Sequence, residues 1–368
     1  MQNKIKIAIL GTRGIPNQYG GFERCAEKVG EYLVKWGHEV VVYNPSDHPY
    51  KKDQWNGIKI KRIFSKEKYL KALNLFIFDY LSLKHAVKQD YDIILELGYS
   101  PSPLFFYLKK KTKAKIVTNM DGIDWKRSKW NKLAKAVLLY SEKLAVEKSD
   151  ALVADNKGIQ EYLKNKFGVD SYFIPYGADL FDNPNEEFLK EYQLEKYSYY
   201  IMVARLEPEN NIETVLDGYL LSNSSEPVII VGNVSNGYGN YLVDKYKENK
   251  NIKFVGGIYD YEKLSTLRWY SKLYFHGHSV GGTNPGLLEA MASNAYIAAH
   301  DNIFNRYVLE DDAFYFHNAE DVQNIILNYT DEFREKFIKN NRKKIKEFYN
   351  WEKVSEQYLQ LFKDLLKK

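Results

Sequence analysis

The stretch Tyr274–Tyr296, YFHGHSVGGTNPGLLEAMASNAY, holds the residues best spaced for chemistry on an anion. Asn284 followed by Pro285 marks a helix start. The amide can cap it, and the proline fills a first position whose N–H the helix would leave unused. Gly281, Gly282 and Thr283 then offer bare backbone N–H groups at the positive end of that helix, an arrangement suited to a phosphate or diphosphate. Glu289 falls about one turn further in, where its carboxylate can accept bonds from the hydroxyls of a sugar beside that phosphate. A glycine-rich turn before a helix also occurs in proteins that bind nothing there, so the rest of the chain has to decide.

Three more groups sit where strands end. Gly11-Thr-Arg-Gly-Ile-Pro-Asn-Gln-Tyr-Gly-Gly21 follows the apolar run Ile5–Leu10, and Gly20 and Gly21 let a ligand approach the backbone closely at the start of a helix. Asn119-Met-Asp-Gly-Ile-Asp-Trp-Lys-Arg127 leaves the strand Lys115–Thr118 and carries Asp121, Lys126 and Arg127. Ligands of open α/β sheets collect at the carboxyl ends of strands, so this loop lies where chemistry belongs. Asp155-Asn156 follows the strand Ala151–Ala154; Asp155 either acts there or simply caps the next helix.

The elements that must position these groups form two series. The first runs strand Ile5–Leu10, helix Phe22–Trp36, strand Val40–Tyr43, an alternating edge or half-exposed strand Gly57–Phe64, and an apolar helix Tyr69–Val87. Strands Tyr91–Leu97, Lys115–Thr118 and Ala151–Ala154 follow. A polar, breaker-rich segment at 182–187 reads as a linker. From Tyr199 the pattern restarts, with strands at 199–204, 228–231, 251–255 and 272–276, and short ones at 295–299 and 313–316. Gly232 and Gly256 close two of these strands. The tail Trp351–Lys368 is an amphipathic helix with Val354, Tyr358, Leu361 and Leu365 near helical spacing. Two βαβ series predict an α/β protein of two doubly wound, Rossmann-like domains, residues 1–180 and 181–368.

A dinucleotide-binding oxidoreductase is the first rival. Its fingerprint is missing: the loop reads G-T-R-G-I-P rather than G-x-G-x-x-G, and the second strand ends in Tyr43-Asn44-Pro45 where an acid should hold the ribose. Bulk properties exclude more. The 368 residues call for two domains, and a net charge of +5 is too weak to argue for nucleic acid, of which no motif appears. A single cysteine, Cys25, excludes a disulfide framework and reads as a small buried residue. The N-terminus enters a strand directly and no apolar run reaches the ~18 residues of a spanning helix, so a cytoplasmic location is expected. The basic, aromatic run of Trp125, Lys126, Arg127, Lys129, Trp130, Lys132 and Lys135 opens a helix to about Lys148 and suits either solvent or an anionic membrane surface. No Asp-x-Asp pair and no His/Cys cluster is placed to hold a metal.

Ala204-Arg-Leu-Glu-Pro-Glu-Asn-Asn211 and Gly282-Thr-Asn-Pro-Gly-Leu-Leu-Glu-Ala-Met291 resemble the diphosphate-binding and E-x7-E motifs of the family-4 retaining glycosyltransferases of GT-B fold. GTRGIPNQYGGFE (11–23) and NMDGIDWKR (119–127) are similar to a narrower branch, which includes bacterial rhamnosyltransferases of capsule and cell-wall polysaccharide assembly. The resemblance implies that the two domains face a central cleft, with the helix 351–368 packing back towards the first. It implies that Arg205 grips the donor diphosphate, a task a bidentate guanidinium suits. Glu207, Asn210, Asn211, Gly232, Gly256 and Gly281–Asn284 would complete the donor side, with Glu289 holding the ribose. Two departures stand out: the first glutamate of E-x7-E falls at Gly281, and the usual lysine is replaced by Asn210.

The implied reaction moves a sugar, L-rhamnose from dTDP-β-L-rhamnose in this branch, onto a hydroxyl with retention of configuration and no metal or other cofactor. The implied acceptor is a sugar on undecaprenyl diphosphate at the cytoplasmic membrane face. Lys126 and Arg127 would add charge for the diphosphate, and Asp121 or Asp155 would orient or deprotonate the acceptor hydroxyl. Another nucleotide sugar, UDP- or GDP-linked, and a non-catalytic nucleotide-sugar binder are the alternatives.

Overall fold

The computed structural model describes residues 4–18, 20–66, 69, 72–127 and 130–367; Lys129 and residues 70–71 of the expected apolar helix lie outside the described residues. The chain divides into two compact units. One comprises Met1–Tyr176 and Trp351–Lys368, the other Gly177–Asn350.

In the first unit the strands are β1 (Lys6–Leu10), β2 (Glu39–Pro45), β3 (Gln54–Trp55), β4 (Ile58–Ile63), β5 (Ile93–Leu97), β6 (Lys115–Asn119), β7 (Ala151–Ala154) and β8 (Tyr172–Phe173). They form one sheet in the order β3-β4-β2-β1-β5-β6-β7-β8. All neighbours run parallel except β3, which pairs antiparallel with β4. The run Gly57–Phe64 is therefore half-exposed but not an edge, because the short β3 covers it. β1 and β5 are buried along almost their whole length, which explains sequences that are apolar but for Lys6 at the start of β1 and the buried Glu96 in β5. Helices α1 (Gly21–Lys35), α2 (Ala72–Ala86), α3 (Lys132–Lys148) and α4 (Lys157–Phe167) belong to this unit. The terminal helix Trp351–Lys367 packs on α1 and buries Val354, Tyr358, Leu361 and Leu365, so the last segment of the chain completes the first unit.

The second unit holds β9 (Tyr200–Val203), β10 (Val228–Val231), β11 (Ile252–Gly256), β12 (Leu273–His276), β13 (Ile297–His300) and β14 (Phe314–Phe316). The order is β11-β10-β9-β12-β13-β14, with every pair parallel. Its core gathers Met202, Leu216, Ile230, Phe275, Ala298 and Phe316 from strands and helices alike. The segment 182–187 has the composition of a linker, yet it belongs to this unit. Phe181 N–H donates to Ala292 O, and Asn185 N–H to Thr266 Oγ1 at 3.1 Å. Its polarity reflects surface placement rather than a boundary.

Candidate functional site

Strand order in the second unit reverses between β9 and β12, and ligands of open α/β sheets sit at such a switch point. The two loops that leave these strands meet there. Asn211, with a left-handed φ of 51°, donates its amide to Gly277 O at 2.7 Å. Gly277 has to be glycine, since a Cβ would lie 2.0 Å from Asn210 O. Asn284 caps the helix Pro285–Ala292 as its sequence predicts, accepting Gly286 N–H at 2.8 Å, with Pro285 in the first turn.

Between the loops lies a cavity of about 160 Å³, lined by Val203, Ala204 and Arg205 at the end of β9, Asn210, His276–His278 at the end of β12, and Asn284. Arg205, Asn210 and Asn284 are thus brought together. Asn210 is held from two sides: its Nδ2 donates to Arg205 O at 2.7 Å, and its Oδ1 lies 2.8 Å from His278 Nδ1.

The other donor-side candidates are not among the cavity-lining residues. Glu207 accepts from Asn236 Nδ2 at 3.1 Å and donates its N–H to Arg205 O, which shapes the loop. Gly232 lets β10 pass close to β9, as a Cβ there would meet Ala204 O at 2.1 Å, and its N–H donates to Gly256 O. Gly281, Gly282 and the buried Thr283 form the turn into the helix, Gly281 with φ +132°. Glu289 meets a residue the sequence reading missed: Arg268, 1% exposed, places Nη1 2.9 Å from Glu289 Oε2. The histidines were missed as well, although His-x-His at a strand end is a readable signal, since alternate residues share a face. Their ring centroids are 6.2 Å apart.

The first unit reverses strand order between β1 and β5. Its glycine loop is filled by the protein itself. Glu23 Oε1 accepts Arg13 N–H at 2.7 Å, and Glu27 Oε1 accepts Asn17 N–H. Asn44, in the place of a ribose-binding acid, accepts Ile15 N–H at 3.0 Å and donates to Ile15 O at 2.6 Å. Gly20 is the N-cap of α1 and Gly21 its first residue, and a Cβ on Gly20 would stand 3.6 Å from Glu23 Oε2, so a carboxylate lies beside this helix start.

Asp121 follows β6 with φ 35°, and its N–H donates to Asn119 Oδ1 at 2.9 Å. Asn119 Nδ2 in turn donates to Tyr358 Oη at 3.1 Å, so the terminal helix braces the Asp121 turn. Asp121 and Asp155 are close enough for both to act electrostatically on Cys25 and Tyr176. Burial pushes the Cys25 thiol up to about 12, against a hydrogen bond from Tyr358, which leaves it an inert packing residue. Asp155 is fully buried and is not the helix cap: Asn156 caps α4, accepting Gly158 N–H at 2.8 Å, because its extended backbone directs the amide at that donor. Arg127 Nε is paired with Asp124 Oδ1 at 2.8 Å, and Lys126 lies 5.7 Å from the Trp125 ring centre. Trp125 donates to Tyr162 Oη at 3.1 Å and carries Lys166 over its ring, and α3 begins at Lys132.

Residues 4–179 match the model of a domain of unknown function, DUF1972, and residues 184–344 that of glycosyl transferases group 1. An uncharacterized glycosyltransferase of Methanocaldococcus jannaschii is 23% identical over 403 residues, covering 99% of each chain. Sucrose-phosphate synthase from Thermosynechococcus elongatus shares the fold with a TM-score of 0.82 and 17% identity, over 99% of this chain and 100% of that one. Anabaena HepE, solved in complex with UDP-glucose, gives 0.79 and 15%, over 98% and 100%. This likeness shows the chain to have a GT-B-like fold of two Rossmann-like, parallel-sheet domains.

Proposed function

We propose, from the premise that this chain is a glycosyltransferase whose second unit belongs to glycosyl transferases group 1, that it transfers L-rhamnose from dTDP-β-L-rhamnose to a sugar on a lipid diphosphate, with retention. The observation that carries this reading is the β9–β12 crevice, where Arg205, Asn284 and the start of the helix Pro285–Ala292 border one polar cavity. A diphosphate leaving group gathers charge as the glycosidic bond breaks. A guanidinium at the cavity wall and N–H groups at a helix start stabilise that charge. Glu289, steadied by Arg268, is set to accept from ribose hydroxyls. On the acceptor side, Asp121 is the group we assign to the attacking hydroxyl, as it is partly exposed at the end of β6 while Asp155 is sealed beneath. No metal or other cofactor takes part in this reading.

A peripheral position on an anionic membrane fits the first unit. Among the described residues no helix is long and apolar enough to cross a bilayer. However, α2, the turn Ser102–Lys111 and α3 pack side by side and expose Leu73, Leu75, Tyr107, Leu133 and Tyr140 beside Lys110, Lys111 and Lys132. Apolar side chains among lysines suit the interface of an anionic bilayer.

The test is incubation with dTDP-rhamnose, UDP- and GDP-sugars and a panel of lipid-linked monosaccharides, read by mass spectrometry. Rhamnosyl product from dTDP-rhamnose alone is expected. Transfer only from a UDP- or GDP-sugar would refute the rhamnose assignment.

A further inference from the structure

A sealed guanidinium stands behind the β9–β12 crevice. Arg268, in the helix Tyr261–Trp269, is 1% exposed, and among the described residues its one ion pair is with Glu289, whose Oε2 lies 2.9 Å from Nη1. Its Cζ is 6.0 Å from the centre of the Tyr274 ring. Arg268 therefore meets both β12 and the helix Pro285–Ala292, and at this burial it touches no ligand. A buried ion pair is often no more stabilising than apolar side chains of the same volume. Packing alone does not account for an arginine here, which turns attention to its partner.

Glu289 is the open half of the pair, with its side chain 33% exposed. In its helix it shares one face with Pro285 and Gly286, the other half-buried positions, while Leu287, Leu288 and Ala290 are buried. Spacings of three and four residues put these three side by side. The face begins next to Asn284, which lines the cavity, and Glu289 lies about 6 Å beyond Pro285 along the helix axis. Gly286 leaves the surface between them without a side chain. A Cβ there would stand 3.1 Å from Asn284 Oδ1, the atom that accepts the Gly286 N–H. A nucleotide whose phosphates meet the helix start thus brings its pentose towards Glu289.

A glutamate without a partner at this position would have to be ordered each time a ligand bound, and that ordering weakens every bond it makes. Arg268 removes the cost beforehand. Its cation draws Oε2 inward, and Oε1 is the oxygen that remains for the pentose.

We propose that Arg268 is the positioning residue for pentose recognition: by holding Oε2 of Glu289 it presents Oε1 to a pentose hydroxyl, and so sets how strongly the site prefers a nucleotide that carries one. This rests on the reading of the crevice as the nucleotide diphosphate site. The test is titration calorimetry with dTDP and UDP, each against its 2′,3′-dideoxy counterpart, which keeps base and phosphates and lacks the pentose hydroxyls. A hydroxyl donating to a held carboxylate should favour the hydroxylated nucleotide by about ten- to a hundredfold. In Arg268→Met, Glu289 is open enough to water to tolerate losing its partner. The preference should then fall by about three- to tenfold, the cost of ordering one long side chain, while the dideoxy nucleotides bind as they do to the native protein. A purely structural role would weaken all four nucleotides alike and leave the preference unchanged, which overturns the proposal. Arg268→Lys keeps the buried charge, and with it the fold, on a shorter, single-headed side chain, and should lower the preference in the same direction. Should the methionine variant fail to fold, a native-like preference in the lysine variant overturns the proposal. A native preference near one also overturns it and leaves the crevice reading standing, since the nucleotides still bind. If none of the four binds the native protein, the crevice reading fails and takes this inference with it.

Discussion

Tyr358→Phe removes one buried hydroxyl from the terminal helix, and its effects follow from the chain of bonds it breaks. Asn119 Nδ2 donates to Tyr358 Oη at 3.1 Å, and Asn119 Oδ1 accepts the N–H of Asp121 at 2.9 Å. Asn119 and Tyr358 are each 1% exposed, so no water replaces the lost acceptor. An orphaned buried donor costs about 1–3 kcal/mol. For a cooperative unit of this size that is a fall in melting temperature of about 3–10 °C. Asp121 sits at φ 35°, a strained position for a residue with a side chain, and keeps it only while the Asn119 amide is held. The variant should therefore lose kcat by about tenfold or more while the KM for the sugar nucleotide stays put. Pairing it with Asn119→Leu removes the orphaned amide donor but also the acceptor of the Asp121 N–H, so it should recover part of the stability and none of the activity. Calorimetric melting and steady-state rates on the three proteins separate these outcomes. A Tyr358→Phe protein that melts within about 1 °C of the native one and keeps its kcat would refute the brace.

Three other perturbations have outcomes fixed by the geometry. Asp121→Asn should abolish transfer and leave nucleotide binding intact; turnover retained in a rate assay removes Asp121 from the acceptor site. Glu289→Gln takes the counter-charge from the buried Arg268, and should cost about 2–4 kcal/mol in a denaturant titration, in the lower part of the usual range because the carboxylate is partly open to water. Asp79 on α2 and Glu96 on β5 are both buried, and burial raises Asp79 to about 8 and Glu96 well above a normal glutamate, with the Asp79 charge adding to the latter. The folded protein thus holds more protons than the unfolded chain between about pH 4 and 8, so stability should fall as pH rises through that window. Asp79→Asn should flatten the decline in melting curves taken at pH 5 and 8; an unchanged slope would count against a protonated pair.

How far the sequence could be read depended on the reach of each interaction. Buried parallel strands leave apolar runs, and Asn284-Pro285 announces a helix start within two residues, so strands and caps were legible locally. Whether Asp155 caps the helix stayed open in the sequence because Asp155 and its neighbour Asn156 both suit a cap, and only the backbone decides which amide or carboxylate faces Gly158 N–H. The linker at 182–187 was misjudged because composition reports exposure and not attachment; the bonds that bind it run to Thr266 and Ala292. Arg268 facing Glu289, and Tyr358 facing Asn119, are pairs separated by long stretches of chain. Nothing in either neighbourhood points to the other.

The two switch points explain why similar loops deserve different assignments. Both lie at a reversal of strand order, and in each a glycine-bearing loop runs from a strand end to a helix start, after β1 in the first unit and after β12 in the second. In the first unit the loop N–H groups of Arg13, Ile15 and Asn17 are spent on Glu23, Asn44 and Glu27, so an arriving phosphate would meet two carboxylates. In the second, Glu207 turns to Asn236, Glu289 turns to Arg268, and the cavity keeps an arginine, two histidines and two amides. Two carboxylates at short range repel a diphosphate by several times the thermal energy in a partly buried site, and a guanidinium attracts it by as much. Glycines at a strand end do not by themselves select an anion; the sign of the side chains behind them does. That criterion is why the proposal puts the diphosphate at the β9–β12 crevice rather than at the first unit's loop, whose N–H groups at Arg13, Ile15 and Asn17 already have acceptors.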